Sequence, residues 1–417
     1  MNTEETRSRA KSAISQYFSA AFASLKHRNF QFYCLGVIFS LTGSLLQEVV
    51  VAWLAYEKTG SSFVLGSILF SFQAPMIAMG VLGGWAADRF DRKRIVFITQ
   101  VLALCVCLSW LTLSATGALA VWHMYLLSAI FGCIVAFEIP ARFAMIPQLV
   151  DEGDIMNAFS LDSLLFYSAR VIGPTLGAVT LGAAGATMCF ALNALTYVFE
   201  LFTITPMKPA ARAAHDKVSL REGFAGTWGN PKVRRLLTLV AVLTFCGCYI
   251  GLMPMFTAAL NGTATVNGLL IAASEVGAMI GSLYLARKTA NTAHAEKLKK
   301  HIGWAAISYA VFLTAFAFSP FVWLSLVLIL PVGYSMTLVL MGAHVLMQNE
   351  IDDRMRGVAS TVFWMYSYFG MLALGGPTLG YLAEHNGVSA TISGAAALCV
   401  TTAIVYLRSA YRAVKPS

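Results

Sequence analysis

The sequence predicts an all-α integral membrane protein: twelve transmembrane helices in two pseudo-symmetric six-helix halves. Three observations carry this expectation. The first is composition. Of 417 residues, 58% are hydrophobic and 12% charged, and the mean hydropathy is +0.70, whereas a soluble domain carries about 25% charged residues. The second is length. A helix needs roughly 20 apolar residues to cross a bilayer, and such runs fall near 31–56, 63–87, 95–116, 120–140, 160–182, 186–205, 235–260, 264–286, 302–319, 321–343, 357–382 and 388–408. The third is a repeat. Gly173-Pro174-Thr175-Leu176-Gly177 recurs as Gly376-Pro377-Thr378-Leu379-Gly380, 203 residues later. These fall in the fifth and eleventh spans, equivalent places in a duplicated unit.

Each segment follows from local composition. Residues 1–29 open with Glu4, Glu5, Arg7, Arg9 and Lys11, which is not the pattern of a cleavable signal peptide. Ile14, Phe18, Ala21, Phe22 and Leu25 then recur at helical spacing, which predicts an amphipathic helix on the membrane surface. Residues 30–205 form the first six-helix bundle and 235–408 the second. Between them, 206–234 is the longest polar stretch: Pro206 and Pro209 end a helix, and Leu220, Phe224 and Trp228 suggest a short surface helix. Residues 409–417 are a polar tail. The spans are helices because transmembrane barrels alternate polar and apolar residues, and these runs do not.

Charge assigns the faces. The net charge is +9 and the pI about 9.1. Of the 29 Lys and Arg, only Lys58 is placed at the far face and only Arg170 deep in the membrane. Cytoplasmic loops collect Lys and Arg, so both termini are expected in the cytoplasm. Topology accounts for the basic balance, and nucleic acid is not expected as a partner. The far loops are short, with Glu57, Lys58, Glu384 and His385 as their charged or titratable residues. All eight cysteines lie in apolar stretches and read as small packing residues, with neither a disulfide nor a metal site expected. Trp53, Trp110, Trp122, Trp304 and Trp323 read as interfacial belts.

Between the second and third spans lies a polar, mostly basic knot, Gly84-Trp85-Ala86-Ala87-Asp88-Arg89-Phe90-Asp91-Arg92-Lys93-Arg94. Its Gly84, Asp88, Arg89, Arg92 and Lys93 match the pattern of the corresponding loop in major facilitator transporters, with Asp91 where that family usually has a second glycine. The stretch Arg170 to Ala178 resembles the fifth-helix signature of the family's exchangers and exporters, although Ala178 stands where glycine is usual. Leu25 to Phe30, Tyr56 with Thr59-Gly60-Ser61, and Pro140-Ala141-Arg142 to Pro147 extend the resemblance nearly end to end. The branch it resembles is the bacterial siderophore and macrolide exporters of the major facilitator superfamily.

The resemblance implies proton-driven efflux of a bulky, partly apolar small molecule, from a monomer in the bacterial inner membrane. It implies that Gly173, Pro174 and Gly177 seal the outer end of the path. It also implies that Asp88, with Arg92 and Arg142 as partners, holds the outward-facing state at a cytoplasmic gate. The start of the eleventh helix, after Asp352 to Gly357, is expected to favour Asp88 through its free N–H groups. In the second half the knot's counterpart, Gly281 to Lys288, has Leu285 in place of the acid, so the latch is expected to be asymmetric.

Buried charge marks the chemistry. A guanidinium in mid-membrane costs several kcal/mol or more unless it faces a cavity or a carboxylate. Arg170 therefore needs a partner, and Glu48 and Glu275 are the candidates. Glu48 is expected to be the proton-coupling site, with Gln47 and Gln73 as polar lining. Glu138 and Arg142, at i and i+4, are expected to form an inner charge gate. Asp162 reads as helix-terminus electrostatics and Glu200 as an interfacial acid. Phe166, Tyr167, Tyr249, Tyr309, Phe363, Trp364 and Tyr368 could line a cavity or pack.

No phosphate-cradling Gly-x-x-x-x-Gly-Lys loop and no catalytic metal spacing occur in the sequence. No enzyme activity, ATP motor, metal or cofactor is expected. Residue physics supports a twelve-helix alternating-access carrier of a siderophore, drug or metabolite, with protons and the bilayer as its other partners. It leaves direction open, so uptake of a metabolite stands as the alternative and a non-transporting membrane sensor as a third reading.

Overall fold

A computed structural model describes residues 22–210, 227–289, 295–351, 359–360 and 362–412. The amphipathic N-terminal helix falls largely outside them. So do Leu220 and Phe224 of the central stretch, and the Asp352–Gly357 approach to the eleventh helix.

Helices occupy every span position read from the sequence. The first half contains α1 (Arg28–Thr59), α2 (Ser62–Arg89), α3 (Arg92–Ala115) and α4 (Val121–Met145). The segment Ile155–Ile204 then turns back at Gly185, where φ is 79° and ψ 174°, so it is two helices: α5 (155–184) and α6 (186–204). The second half contains α7 (Pro231–Cys246), α8 (Met253–Ala259), α9 (Ala264–Thr289), α10 (Ala295–Ala317) and α11 (Val322–Glu350). A π-helix, Phe363–Gly370, runs into α12 (Met371–Asn386), and α13 (Val388–Arg412) closes the chain. The predicted seventh span is thus broken: α7 ends at Cys246, a 3₁₀ turn covers Cys248–Ile250, and α8 completes the crossing.

The turns at the far face are tight for a local reason. Gly60 (φ 64°), Gly117 (φ 69°) and Gly387 (φ 81°) stand at three of them, and Asn261 (φ 52°) precedes α9. A positive φ costs an L-residue with a Cβ roughly 1–2 kcal/mol. Gly60 shows the result: its N–H donates to the carbonyl of Tyr56 at 2.7 Å, ending α1 within one residue. Ser61 then caps α2 by accepting from Val64 N–H.

The two copies of the glycine-proline repeat pack against different partners. In α5, a Cβ on Gly173 would lie 2.8 Å from the Thr42 carbonyl of α1, and one on Gly177 2.9 Å from that of Leu46. In α12, Gly376 and Gly380 lie instead against Gly66 and Ser62 of α2, and it is Gly375, just before the repeat, that abuts the Phe245 carbonyl of α7. Small residues at such spots allow backbones to approach. The same two helices form the seams between the halves. Gly268 of α9 sits on the Pro174 carbonyl of α5, and Gly376 of α12 sits on Gly66 of α2.

The far end of the α2–α12 seam is also hydrogen-bonded. Ser62 Oγ donates to the Gly380 carbonyl at 3.0 Å, Ser61 Oγ donates to the Glu384 carboxylate at 2.9 Å, and the Phe63 ring meets Tyr381 edge-on. The halves are therefore joined face to face at the end that carries Gly60 and Gly387.

One interfacial assignment changes. Trp110 is 1% exposed and stacks on Phe190 between α3 and α6, so it is core and not belt. Apolar partners on both sides outweigh its one polar N–H. Trp122, Trp304 and Trp323 are 61%, 58% and 65% exposed and remain at the surface. Cys105 is exposed and Cys133 half-buried; the other six cysteines are buried, and all eight are free thiols.

Candidate functional site

The structure resolves the question of the Arg170 partner. Arg170 Nε donates to Glu275 Oε2 at 2.8 Å and Nη2 to Oε1 at 2.5 Å. This is a fork-to-fork pair, the geometry in which guanidinium and carboxylate bind most strongly. It joins α5 of one half to α9 of the other. The Glu275 side chain is 5% exposed and that of Arg170 is 23%. The guanidinium also lies 5.5 Å from the Phe166 ring centroid, where a cation over an aromatic face gains roughly 0.5–2 kcal/mol.

Glu48 completes the set. It lies on α1, and its charged neighbours are Arg170 and Glu275. Its side chain is exposed. Counting along the helices at about 1.5 Å per residue, Glu48, Arg170 and Glu275 lie at a similar depth, roughly 17–21 Å from the far face.

Gln47 and Gln73 have turned inward. Gln47 Oε1 accepts from Asn193 Nδ2 at 2.9 Å, and Gln47 is 7% exposed. In this conformation it pins α1 to α6. Gln73 is 4% exposed, and its Oε1 finds no hydrogen-bond donor among the described residues. Of the candidate cavity aromatics, Tyr249, Tyr309 and Phe363 are core residues, and Tyr249 shares a hydrogen bond with Ser274 at 2.8 Å. Phe166 is exposed beside Arg170. The Tyr368 side chain lies outside the described residues.

At the basic end, the polar knot is a bracket between helices. Asp91 caps α3 by accepting from Arg94 N–H at 2.8 Å, a local reason for an acid at that position. Arg92 donates to the carbonyls of Ala87 and Ala144, tying the end of α2 to the end of α4. Lys93 Nζ donates to the carbonyls of Thr205 and Met207 at 2.8 and 2.7 Å, just past α6, where a cation suits the helix dipole. Arg89 stacks over Trp85 at 5.5 Å, and Asp88 is exposed. Gly83 rather than Gly84 makes the close approach to α4, at the Ala136 carbonyl; a Cβ on Gly84 would meet open space.

Glu138 and Arg142 pair at 3.0 Å, as their i, i+4 spacing suggests. Two sequence readings nearby are corrected. Asp162 is not at a helix terminus, because α5 begins seven residues earlier; it accepts from Tyr33 Oη at 2.6 Å. Glu200 is not interfacial. It is 2% exposed, and its charged neighbours are Arg142 and Glu138. Both were misread because their partners come from α1 and α4, far away in sequence. Gln100, which donates to Glu138 at 2.9 Å, was missed for the same reason.

Outside the membrane, Lys26 pairs with Asp154 at 2.7 Å and His27 with the same carboxylate at 2.8 Å. Hydrogen bonding to Lys26, then to His27, holds the Asp154 carboxyl below the ordinary aspartate range. The Asp154 hydrogen bond holds the Lys26 ammonium above its ordinary range. A groove of about 460 Å³ between α7, α12 and α13 is lined by Phe245, Leu379, Leu398 and others; none of the candidate site residues borders it.

A two-half helical fold with an ion pair across its centre defines a membrane carrier of the major facilitator type. Within that class the chain belongs to the transmembrane secretion effector family, whose family model matches residues 19–416. It is 24% identical to the staphyloferrin A transporter of Staphylococcus aureus over 387 residues, covering 88% of this chain and 92% of that one. It is 26% identical to the enterobactin exporter EntS of Citrobacter koseri over 266 residues, covering 62% and 63%. With YfiS of Bacillus subtilis, an uncharacterized transporter, it shares 28% identity over 145 residues, 35% of this chain and about a third of that one. Among solved structures, a bacterial homologue of the lysosomal transporter Spinster superposes with a TM-score of 0.73 at 14% identity, covering 93% of this chain and 97% of that one, which speaks for the fold alone.

Proposed function

We propose that this chain is a proton-coupled exporter of a siderophore or another bulky amphipathic small molecule, working by alternating access in the bacterial inner membrane with both termini in the cytoplasm. The observation that carries the reading is the bidentate Arg170–Glu275 pair across the halves, with Glu48 beside it as a third charged group. Arg170, held by Glu275, is also a charged neighbour of Glu48. Protonating one of the two acids changes which of them Arg170 holds, and the pair bridges the two bodies that must move. Glu48 is the coupling acid in this reading, and Arg170 moves between it and Glu275. The α5 signature, Gly173, Pro174 and Gly177, supports closure at the far end. Asp88, Arg89, Arg92 and Lys93, with Glu138 and Arg142, serve as the gate at the basic end. The relatives' names support a siderophore or a molecule of similar bulk.

The test is proton movement in inside-out vesicles that hold this chain and an acidified lumen. Staphyloferrin A, enterobactin, macrolides and lipophilic cations are added in turn. Substrate-triggered proton release that is lost in Glu48→Gln supports the reading. Release that persists in Glu48→Gln removes Glu48 from the mechanism. Concentrative uptake into whole cells, without release from vesicles, establishes the importer instead.

A further inference from the structure

A further buried acid lies nearer the basic face than Glu48, and the coupling reading above does not use it. Glu200 sits four residues before the end of α6, 2% exposed. Its Oε2 has no hydrogen-bond partner among the described residues. Gly36 of α1 leaves room for Thr203 and Glu200 together: a Cβ there would meet the Thr203 hydroxyl and come within 3.1 Å of Glu200 Cγ. The groups facing it are Ser40 of α1, Glu138 and Arg142 of α4, and Tyr197 one turn back on α6.

Arg142 is already committed. Its Nη1 donates to Glu138 Oε1, which also accepts from Gln100 of α3. The guanidinium lies over the Tyr33 ring at 5.9 Å, and Tyr33 Oη donates to Asp162. Arg142 thus faces three carboxylates, Glu138, Glu200 and Asp162, and Asp162 is held by the Tyr33 hydroxyl. Glu138 receives two donors and is satisfied as an anion. Glu200 as an anion would be a further buried charge with an unpartnered oxygen, which is unfavourable. A proton on that oxygen removes the charge.

We propose that Glu200 is a proton-binding site of the first half, loaded when Arg142 is held by Glu138 and emptied to the basic face when Arg142 turns to it. No bond other than the O–H bond is made or broken: the proton leaves Oε2 for water, and the carboxylate gains the guanidinium. Glu138 and Glu200 compete for one cation, so proton occupancy follows the position of Arg142. Through α4, that position is linked to the bracket that Arg92 makes at Ala144. The site is independent of which substrate the carrier moves and of whether Glu48 couples it.

The experiment is infrared spectroscopy of the purified full-length carrier at pH 7, in a Glu48→Gln background so that Glu48 adds no signal. The readout is the carbonyl band of a protonated carboxylic acid. The band is expected in that background and is expected to be lost on adding Glu200→Gln. Should the Glu200 variant fail to fold, Glu138→Gln reads the same site. It frees Arg142 for Glu200, and the band is again expected to vanish while Glu200 remains. A band that survives either variant, or no band in the starting protein, overturns the assignment. Because the readout is a bound proton and not flux, it is unaffected by an error in the substrate or coupling reading.

Discussion

The Arg170–Glu275 pair shows how a single contact can be read at the scale of atoms. Removing one partner of a buried pair leaves the other uncompensated and costs about 3–5 kcal/mol, while replacing both by apolar residues of similar size is often neutral or stabilising. Glu275→Gln should therefore unfold at lower temperature, and Arg170→Met with Glu275→Leu should regain most of that loss. Flux should be absent in both. Thermal unfolding and vesicle flux on the same preparations check this, and normal flux in the double variant would leave the pair a structural clasp. Asp91 offers a smaller test. Its cap on Arg94 N–H is worth about 1 kcal/mol, so Asp91→Ala should lose that much and Asp91→Asn much less. Asp154 gives the pH dependence. Its folded carboxyl lies below the ordinary range, so its stabilisation is present above the ordinary aspartate pKa. That stabilisation is lost as pH falls through the lower, folded value. Lys26 is held above its ordinary range, so its share is present below the ordinary lysine pKa and lost as pH rises through the folded value. The Ser24 amide, bonded to Asn157 at 2.9 Å, reports on this clasp. Asp154→Asn should speed its hydrogen exchange at neutral pH, and the two proteins should converge in acid.

At the scale of elements, the turn glycines and the seam glycines do different work. Gly185 reverses the chain between α5 and α6 with φ 79° and ψ 174°, a backbone region open in practice only to glycine. Gly185→Ala should lower stability by about 1–3 kcal/mol, measured by denaturant unfolding. Its neighbourhood is open, so the loss would come from the backbone and not from a clash. Gly66 is the reverse case. It is helical, and any Cβ there would meet the Gly376 backbone of the other half. The repeat in α5 and α12 was visible as five identical residues. Their partners, Gly268 and Gly66, were not, because neither stands in a motif and each is recognised only by what lies across the seam.

At the scale of the molecule, the closed far end predicts how the carrier responds when that seam is spoiled. Gly66→Val should push the α2–α12 seam apart and shift the population toward a state open at the far face. Spin labels at Lys58 and His385, in a background with the exposed Cys105 replaced, should then report longer distances than in the native seam. An unchanged distance distribution would show that the seam is not what holds this end shut. The broken seventh span and the π-helix before α12 lie in the same half. The pattern of apolar runs could not distinguish these from straight helices, since a span broken by a short turn keeps its hydropathy.

The sequence by itself determined that the chain is a bundle of membrane-crossing helices in two related halves, with a basic face and deep charges at Arg170, Glu48 and Glu275. It could do so because hydropathy, loop charge and helical spacing are local properties, and a charge in an apolar run is conspicuous wherever its partner lies. Only the tertiary structure decided that Arg170 is held by Glu275 across the halves, that Gln47 pins α1 to α6, that Trp110 is core, and that Glu200 shares Arg142 with Glu138. Each of these depends on which helices touch and at what rotation. An α-helix presents a different side every residue, so neighbours separated by tens or hundreds of positions are chosen by packing, which no local pattern records.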